Sequence, residues 1–257
     1  MTQDLSSLAK MLRLARAERV ACEPLTKLSP GLSTAQAYAI QQENLDAQEL
    51  PRIGSKIGLT SRAVQRQLGV SAPDFGGLLS DMLVPLGDVV QTAALMQPRA
   101  EAEIAFVLGE DLDQREHVTV PDIIRATAYL LPAIEIIDSR IADWKITYQD
   151  TIADNASSGL FVLGQDPVAL SRVPLERCGM ALRKNGALVS TGAGAASMGH
   201  PLTAMAWLAN TLLQMGQPLK EGQIILSGAL GPVTPVVAGD ALQAEIAHLG
   251  QLSVRFV

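Results

Sequence analysis

Two glutamates stand two residues apart in "QPRAEAEIAFVLG", Gln97 to Gly109. In an extended strand, residues i and i+2 leave the same face. Glu101 and Glu103 therefore point together at the entrance to an apolar run, while Ala100, Ala102, Ile104 and Phe106 share the other face. A second segment, "LPAIEIIDSR", sets Glu135 in equally apolar surroundings. Three carboxylates on adjacent strands repel one another if all are ionised in a dry site. A hard divalent cation removes that conflict, and Mg²⁺ or Mn²⁺ prefers oxygen ligands. The competing reading is that these acids mark solvated strand ends, because charged side chains are mostly exposed. The residue pattern leaves both readings open.

Other residues have the right chemistry with weaker local signals. Lys56 in "IGSKIGLT" lies between Gly54 and Gly58, where a ligand or backbone can approach closely. There it could hold a carboxylate or relay a proton, or it could be a solvated lysine at a strand end. Asp74 in "PDFG" either starts a turn after Pro73 or serves as a pocket acid or base. The triplet Asp-Phe-Gly is no kinase element, because it lies early and no His-Arg-Asp segment exists. In "DTIADNASSGLFVLG", Asp154, Asn155, Ser157 and Ser158 form a polar cluster before an apolar strand. Turn capping explains one or two such residues more easily than four. "STGAGAASMGHP" lacks dinucleotide-binding spacing and reads as a loop into the helix after Pro201, with His200 at its entry. His117 and His248 fit no metal spacing, and no GxSxG nucleophile elbow occurs.

The elements that must position these residues follow from periodicity. Residues 4–19 carry Leu5, Leu8, Met11, Leu12 and Ala15 at helical spacing. Ser33 or Thr34 caps a second helix. An N-terminal helical region over 1–50 is expected, followed by a larger unit over 51–257. In that unit "PRIGSKIGLT" reads as a strand and "SRAVQRQLGV" as a short helix. "SAPDFGGLLSDMLVPLGDVV" reads as loop, then extended chain. "VTVPDIIRATAYLLPAIEIID" reads as a helix with Pro121 in its first turn, giving way after Pro132 to the strand with Glu135. Asn185-Gly186 marks a hairpin, "HPLTAMAWLANTLLQMG" a helix ending at Gly216, and the last forty residues several strands. Early helices and late strands predict an α+β fold, not regular βαβ alternation.

Composition narrows the partners. The chain has 257 residues, a net charge of -6 and scattered Lys and Arg, which argues against nucleic acid. Aromatics make up only 4%, so few base-stacking platforms are available and the core must rest on Leu, Val, Ile and Ala. Cys22 and Cys178 lie far apart in no CxxC motif, which predicts reduced thiols in a cytoplasmic protein. The first twenty residues lack the apolar core of a secretory signal, and no apolar window suits a membrane span.

Seven segments occur in a familiar order and spacing: "GSKIGLTS", "QLGVSAPDFG", "QPRAEAEIAFVLG", "LPAIEIIDSRIADW", "DTIADNASSGLFVLG", "GHPLTAMAWLAN" and "GQIILSGALGPV…AGD". From about residue 33 onward the chain resembles the 2-keto-4-pentenoate hydratases, with the 4-oxalocrotonate decarboxylases as close relatives, in the fumarylacetoacetate-hydrolase-like superfamily. The resemblance implies a curved, barrel-like mixed β-sheet of the fumarylacetoacetase C-terminal type under an N-terminal helical layer. It implies a divalent metal, Mg²⁺ or Mn²⁺, on Glu101, Glu103 and Glu135. It also implies an active-site lysine and aspartate at Lys56 and Asp74, and substrate contacts from Ser157 and Ser158.

The activity implied is metal-dependent hydration of 2-hydroxypenta-2,4-dienoate or a homologue, in meta-cleavage degradation of aromatic compounds. The alternative is decarboxylation of 4-oxalocrotonate on the same metal site. Asp74 and "SGALGP" resemble the hydratases, whereas "STGAGAASMGHP" resembles the decarboxylase loop. The resemblance further implies a homo-oligomer and association with a downstream aldolase or paralogous decarboxylase. A non-catalytic partner subunit is less favoured, because Lys56, Asp74 and all three glutamates are intact.

Overall fold

The structure is a computed structural model that describes residues 4–62, 65, 66, 70, 72–113 and 116–257. The short helix expected over 61–70 lies largely outside the described residues. Helix α1, Leu5–Glu18, buries Leu8, Ala9, Leu12 and Ala15, and its chain reverses through Arg19 in the left-handed region. A single turn, α2, covers Leu25–Leu28. Helix α3, Thr34–Asp46, starts with Ser33 Oγ accepting from the Gln36 amide while the Ser33 amide donates to Gln36 Oε1. That exchange satisfies two amides the first turn leaves without partners.

Four strands follow: β1 (Arg52–Gly58), β2 (Asp74–Leu79), β3 (Leu83–Val84) and β4 (Val89–Val90). Strand β5, Arg99–Leu108, leads through α4, Val120–Ala126, into β6, Thr127–Ile137. Next come α5 (Tyr148–Ala153), β7 (Ser158–Leu163) and the hairpin β8 (Gly179–Lys184) to β9 (Ala187–Ala193). Helix α6, Pro201–Gln214, precedes β10 (Ile224–Leu226), β11 (Thr234–Pro235), β12 (Ala241–Ile246) and β13 (Gly250–Phe256).

The strands form two sheets. The larger runs β2-β1-β10-β5-β6-β7-β3, with β11 also paired to β5. It is mixed, because β1–β10 and β3–β7 are parallel and the other pairs antiparallel. The smaller runs β4-β13-β12-β8-β9. Ile104, Phe106 and Ile134 of the large sheet share a core with Leu242, Val254 and Phe256 of the small one. Both acid-bearing strands are thus held from behind by apolar packing. All four phenylalanines, Phe75, Phe106, Phe161 and Phe256, are buried, each contributing about 1.5–3 kcal/mol. The phenylalanines therefore serve the core. A separate apolar cluster joins α1 and α3 to Ile141 and Ile152, seating the early helices against the segment that carries α5. Among the described residues no helix is long and apolar enough to cross a membrane.

The Asn185-Gly186 turn forms as expected, with both residues at positive φ. Two expectations need correction. The "PDFG" segment is no loop, because β2 begins at Asp74, opposite Gly58 on β1. The helix expected to reach Pro132 ends at Ala126, and β6 runs straight through Pro132. Proline is tolerated mid-strand for a local reason. Its carbonyl accepts from the Gly164 amide at 2.8 Å, so its nitrogen faces the same side, where β7 has already ended at the Ala133–Leu163 pair. No ladder bond is lost there.

Candidate metal and catalytic centre

Register brings the three glutamates together. Glu101 on β5 pairs directly with Glu135 on β6, and Glu103 follows on the same face as Glu101. One carboxylate oxygen from each lies within 4.8 Å of the others. Glu103 and Glu135 are buried and Glu101 is partly buried. The Gly228 amide donates to Glu103 Oε2 at 2.6 Å, but Glu103 Oε1 and both oxygens of Glu135 have no hydrogen-bond partner. Glu135 Oε1 lies 3.3 Å from Lys56 Nζ, within ion-pair reach. Burial and the charge of Glu135 push the Glu101 carboxyl up to about 7. The same causes, with Glu101 added, push Glu103 well above the ordinary carboxylate range. Solvated strand ends would show none of this. A set of converging, desolvated oxygens lacking partners fits a hard divalent cation.

Lys56 and Asp74 come from neighbouring strands. Lys56 pairs with Gly76, and Gly58 pairs with Asp74. Burial alone would lower the Lys56 pKa, but Glu135, Glu101, Asp74 and Glu103 together raise it, so the side chain stays an ammonium ion. Asp74 Oδ2 accepts from Thr151 Oγ1 at 3.2 Å, and Oδ1 has no partner. Burial raises the Asp74 carboxyl to about 6, against the opposing pull of Lys56 and Thr151. Gly58 is required here: a Cβ would stand 2.1 Å from Asp74 Oδ1 and 3.5 Å from Lys56 Nζ. Its missing side chain keeps the space between acid and ammonium open.

Lys56, Asp74, Glu101 and Ser157 line one cavity of about 660 Å³, together with Arg99 and Trp144. Much of the remaining wall is aliphatic, including Ile137, Ile146, Leu230 and Val233. Such a wall suits the apolar part of a small ligand. Ser158 is not part of it. It lines a second cavity of about 410 Å³ beneath α1 and α3, with Leu12, Arg16 and Arg140. Successive side chains at the start of a strand leave on opposite sides, so the expectation that both serines face one pocket does not hold.

The segment carrying Ser157 has an unusual backbone. Asn155, Ala156 and Ser157 have φ of 55°, 50° and 54°, three successive non-glycine residues in the left-handed region. Each costs on the order of 1–2 kcal/mol. Two clamps hold them. The Asn155 side chain donates to the Gly77 carbonyl at 2.9 Å and accepts from its amide at 2.7 Å. Buried Arg140 donates from Nε to Asp154, from Nη2 to the Asp154 carbonyl, and from Nη1 to the Asp138 and Ser158 carbonyls at 2.7 Å each. Sequence reasoning missed Arg140, Thr151 and Gly228, which contact the site only through the fold. Arg99 was missed as well, although strand alternation could have found it, one same-face step before Glu101.

A curled mixed sheet presenting three carboxylates beside a buried lysine–aspartate pair defines a class of metal-assisted enzyme scaffold. The sequence profile described as fumarylacetoacetate (FAA) hydrolase C-terminal matches residues 57–257, and the chain belongs to that family. It is 48% identical over 255 residues to a 2-keto-4-pentenoate hydratase of Burkholderia vietnamiensis (strain G4 / LMG 22486), covering 98% of this chain and 97% of the relative. A 2-hydroxyhexa-2,4-dienoate hydratase of Comamonas testosteroni is 45% identical over 238 residues, covering 91% of this chain and 90% of the relative. Among solved structures, 4-oxalocrotonate decarboxylase from Pseudomonas putida G7, complexed with magnesium and adipate, superposes with a TM-score of 0.92 at 35% identity. That match covers 98% of this chain and 97% of the other.

Proposed function

We propose that the chain is a metal-dependent hydratase adding water to 2-hydroxypenta-2,4-dienoate or a short homologue, giving a 4-hydroxy-2-oxo acid. The observation that carries this reading is Asp74, with one unpartnered oxygen, in the same cavity as Lys56 and Glu101, the latter converging with Glu103 and Glu135. Similarity to hydratases at 45–48% identity over nearly the whole chain supports it. Glu101, Glu103 and Glu135 would hold Mg²⁺ or Mn²⁺, whose positive charge stabilises negative charge developing on the substrate's 2-oxygen.

The chain's own residues then supply orientation and proton movement. The dienol ketonises to an α,β-unsaturated 2-oxo acid. Asp74, ionised at neutral pH, accepts a proton from water as its oxygen adds to C4. A proton is delivered to C3, so water adds without net acid or base consumption. Lys56 stays charged, holding Asp74 and the cluster in place and offering N–H donors toward the substrate oxygen. Ser157 lines the same cavity. Loss of dienol absorbance on adding Mg²⁺ or Mn²⁺ tests this reading. Absence of both metal binding by calorimetry and turnover of any dienoate would overturn it.

A second reading is decarboxylation of 4-oxalocrotonate, favoured by the near-complete superposition on that decarboxylase. A substrate panel assayed for both hydration and CO₂ release separates the two. We place the reaction in meta-cleavage degradation of aromatic compounds, in the cytoplasm. We also propose a homo-oligomer: edge strand β9 exposes Leu188 and Val189, apolar surface that a second copy would cover. Light scattering tests that state, and co-purification with an aldolase or paralogous decarboxylase tests association with another enzyme.

A further inference from the structure

One cation in the cavity wall is left without an acid. Arg99 opens β5 and shares its face with Glu101 and Glu103, one same-face step nearer the strand's start. Its guanidinium lies 4.4 Å from the centroid of the Trp144 ring. Among the described residues no carboxylate comes within ion-pair distance of it, Glu101 included, and no oxygen accepts a hydrogen bond from it. An arginine is always charged and carries five N–H donors. Stacked on an aromatic ring, it is fixed in orientation while its edge stays free for a planar anion.

The platform is itself built in. Trp144 and the preceding Asp143 both sit in the left-handed region, with φ of 55° and 58°. The Trp144 indole N–H donates to the Gln97 carbonyl at 3.1 Å, and the Gln97 side chain donates to the Ser139 and Ile141 carbonyls. The backbone just before Arg99 thus fixes the ring that holds Arg99. Lys56, the other cation in this wall, is surrounded by four acids. Among the described residues lining this cavity, Arg99 is therefore the positive charge without an acidic partner.

We infer that Arg99, held on Trp144, is a carboxylate-binding residue of the substrate site. The inference rests on this cavity being the substrate site and extends the proposed function to how the substrate is oriented. A same-face step along a strand spans about 6.6 Å, close to the end-to-end reach of a five- or six-carbon chain. The shared chemistry is a carboxylate from one of two sources: the group beside the 2-oxo carbon, common to every substrate of this class, or a second carboxylate at the tail.

The test is calorimetric binding of two unreactive saturated analogues, 2-oxopentanoate and 2-oxohexanedioate, to the Mg²⁺-loaded full chain and to its Arg99→Met and Arg99→Lys variants. Arg99→Met keeps the apolar stem and removes the charge, and should weaken binding roughly tenfold to hundredfold. Arg99→Lys should lose less. Equal weakening of both analogues assigns Arg99 to the carboxylate beside the oxo group, and weakening of the dicarboxylate alone assigns it to the tail. In a Trp207→Phe background, Trp144 emission should change on ligand binding in the parent and not in Arg99→Met. Unchanged affinity for both analogues in a folded Arg99→Met protein overturns the inference. Binding is read without turnover, so failure of the hydratase reading is seen separately, as analogue binding that depends on Arg99 in a protein that hydrates no dienoate.

Discussion

Two buried charge clusters lie on either side of the segment 154–158, and they are finished differently. Around Arg140 four of the five guanidinium N–H donors have partners. Its guanidinium donates to Asp154 and to three carbonyls, and Asp154 Oδ2 also accepts from Ser139 Oγ and the Arg140 amide. Around Glu101, Glu103 and Glu135, three acids face one ammonium, and three of their oxygens are left with no hydrogen bond. The first arrangement stabilises a loop. The second raises the free energy of the metal-free protein and is relieved by a cation. Buried charge that is largely satisfied marks structure, and buried charge left unsatisfied marks a site.

The largest effect should come from the unfinished cluster. Glu103→Gln removes one of the three carboxylates proposed to hold the metal, while its amide oxygen can still accept from the Gly228 amide. Hydration should fall at least about a thousandfold, the several kcal/mol that a cation's charge supplies. Metal binding by calorimetry should weaken in parallel. The metal-free variant should melt no lower than the parent, because an acid crowded by burial and by Glu135 has gone. If metal-free Glu103→Gln instead melts well below the parent, the glutamates serve the fold and the contrast collapses.

Arg140→Met tests the finished cluster. It leaves Asp154 buried without its cation, and breaking such a pair costs about 3–5 kcal/mol. Denaturant unfolding should show that loss. Urea midpoints near the parent value would mean that Asp154 and the three left-handed residues are held by something other than Arg140.

Protonation gives a third, smaller difference. Asp74 is raised to about 6 from 3.8, and Glu101 to about 7 from 4.5, in both cases chiefly by burial. A carboxyl whose pKa is higher folded than unfolded holds more protons in the folded chain, so folding is favoured as pH falls through the folded value. The metal-free protein should therefore gain several degrees of melting temperature between about pH 7.5 and 5.5. With Mg²⁺ or Mn²⁺ bound the gain should shrink or reverse, because the cation favours the ionised acids. Melting curves at both values, with and without metal, read this directly. A metal-free protein that loses stability on acidification across that range contradicts it.

The two clusters were not equally visible in the sequence. Alternation placed Glu101 and Glu103 on one face, and apolar flanks marked Glu135, because strand periodicity is local information. Lys56 and Asp74 gave only ambiguous local signals and gained their roles from the ordered motifs. The Glu101–Glu135 pairing is a register between strands joined by a helix, and nothing within either strand states it. Arg140 and Asp154 are separated by a helix and a loop, so their contact exists only after the chain folds back. The misread helix before Pro132 has the same origin, since the missing ladder bond is harmless only because β7 stops one pair earlier. The hairpin at Asn185-Gly186 and a helix cap at Ser33 or Thr34 were legible because a few adjacent residues decide them.

The finest test compares the two serines, since adjacent identical side chains face opposite cavities. Ser157 Oγ is buried without a partner and its residue lines the cavity of Asp74 and Lys56. A bound substrate would supply the missing hydrogen bond, so Ser157→Ala should raise KM about three- to tenfold with kcat nearly unchanged, the signature of a uniform binding contact. Ser158 Oγ is likewise buried and unpartnered, but Ser158 lines the cavity under α1 and α3. Ser158→Ala should leave KM and kcat at parent values and, by removing an unsatisfied hydroxyl, should not lower stability. Steady-state kinetics on both variants decides the matter. Equal losses would mean that the left-handed segment turns between two states and that both serines reach the substrate. A loss confined to Ser158→Ala would invert the assignment and move the substrate to the side of the segment held by Arg140.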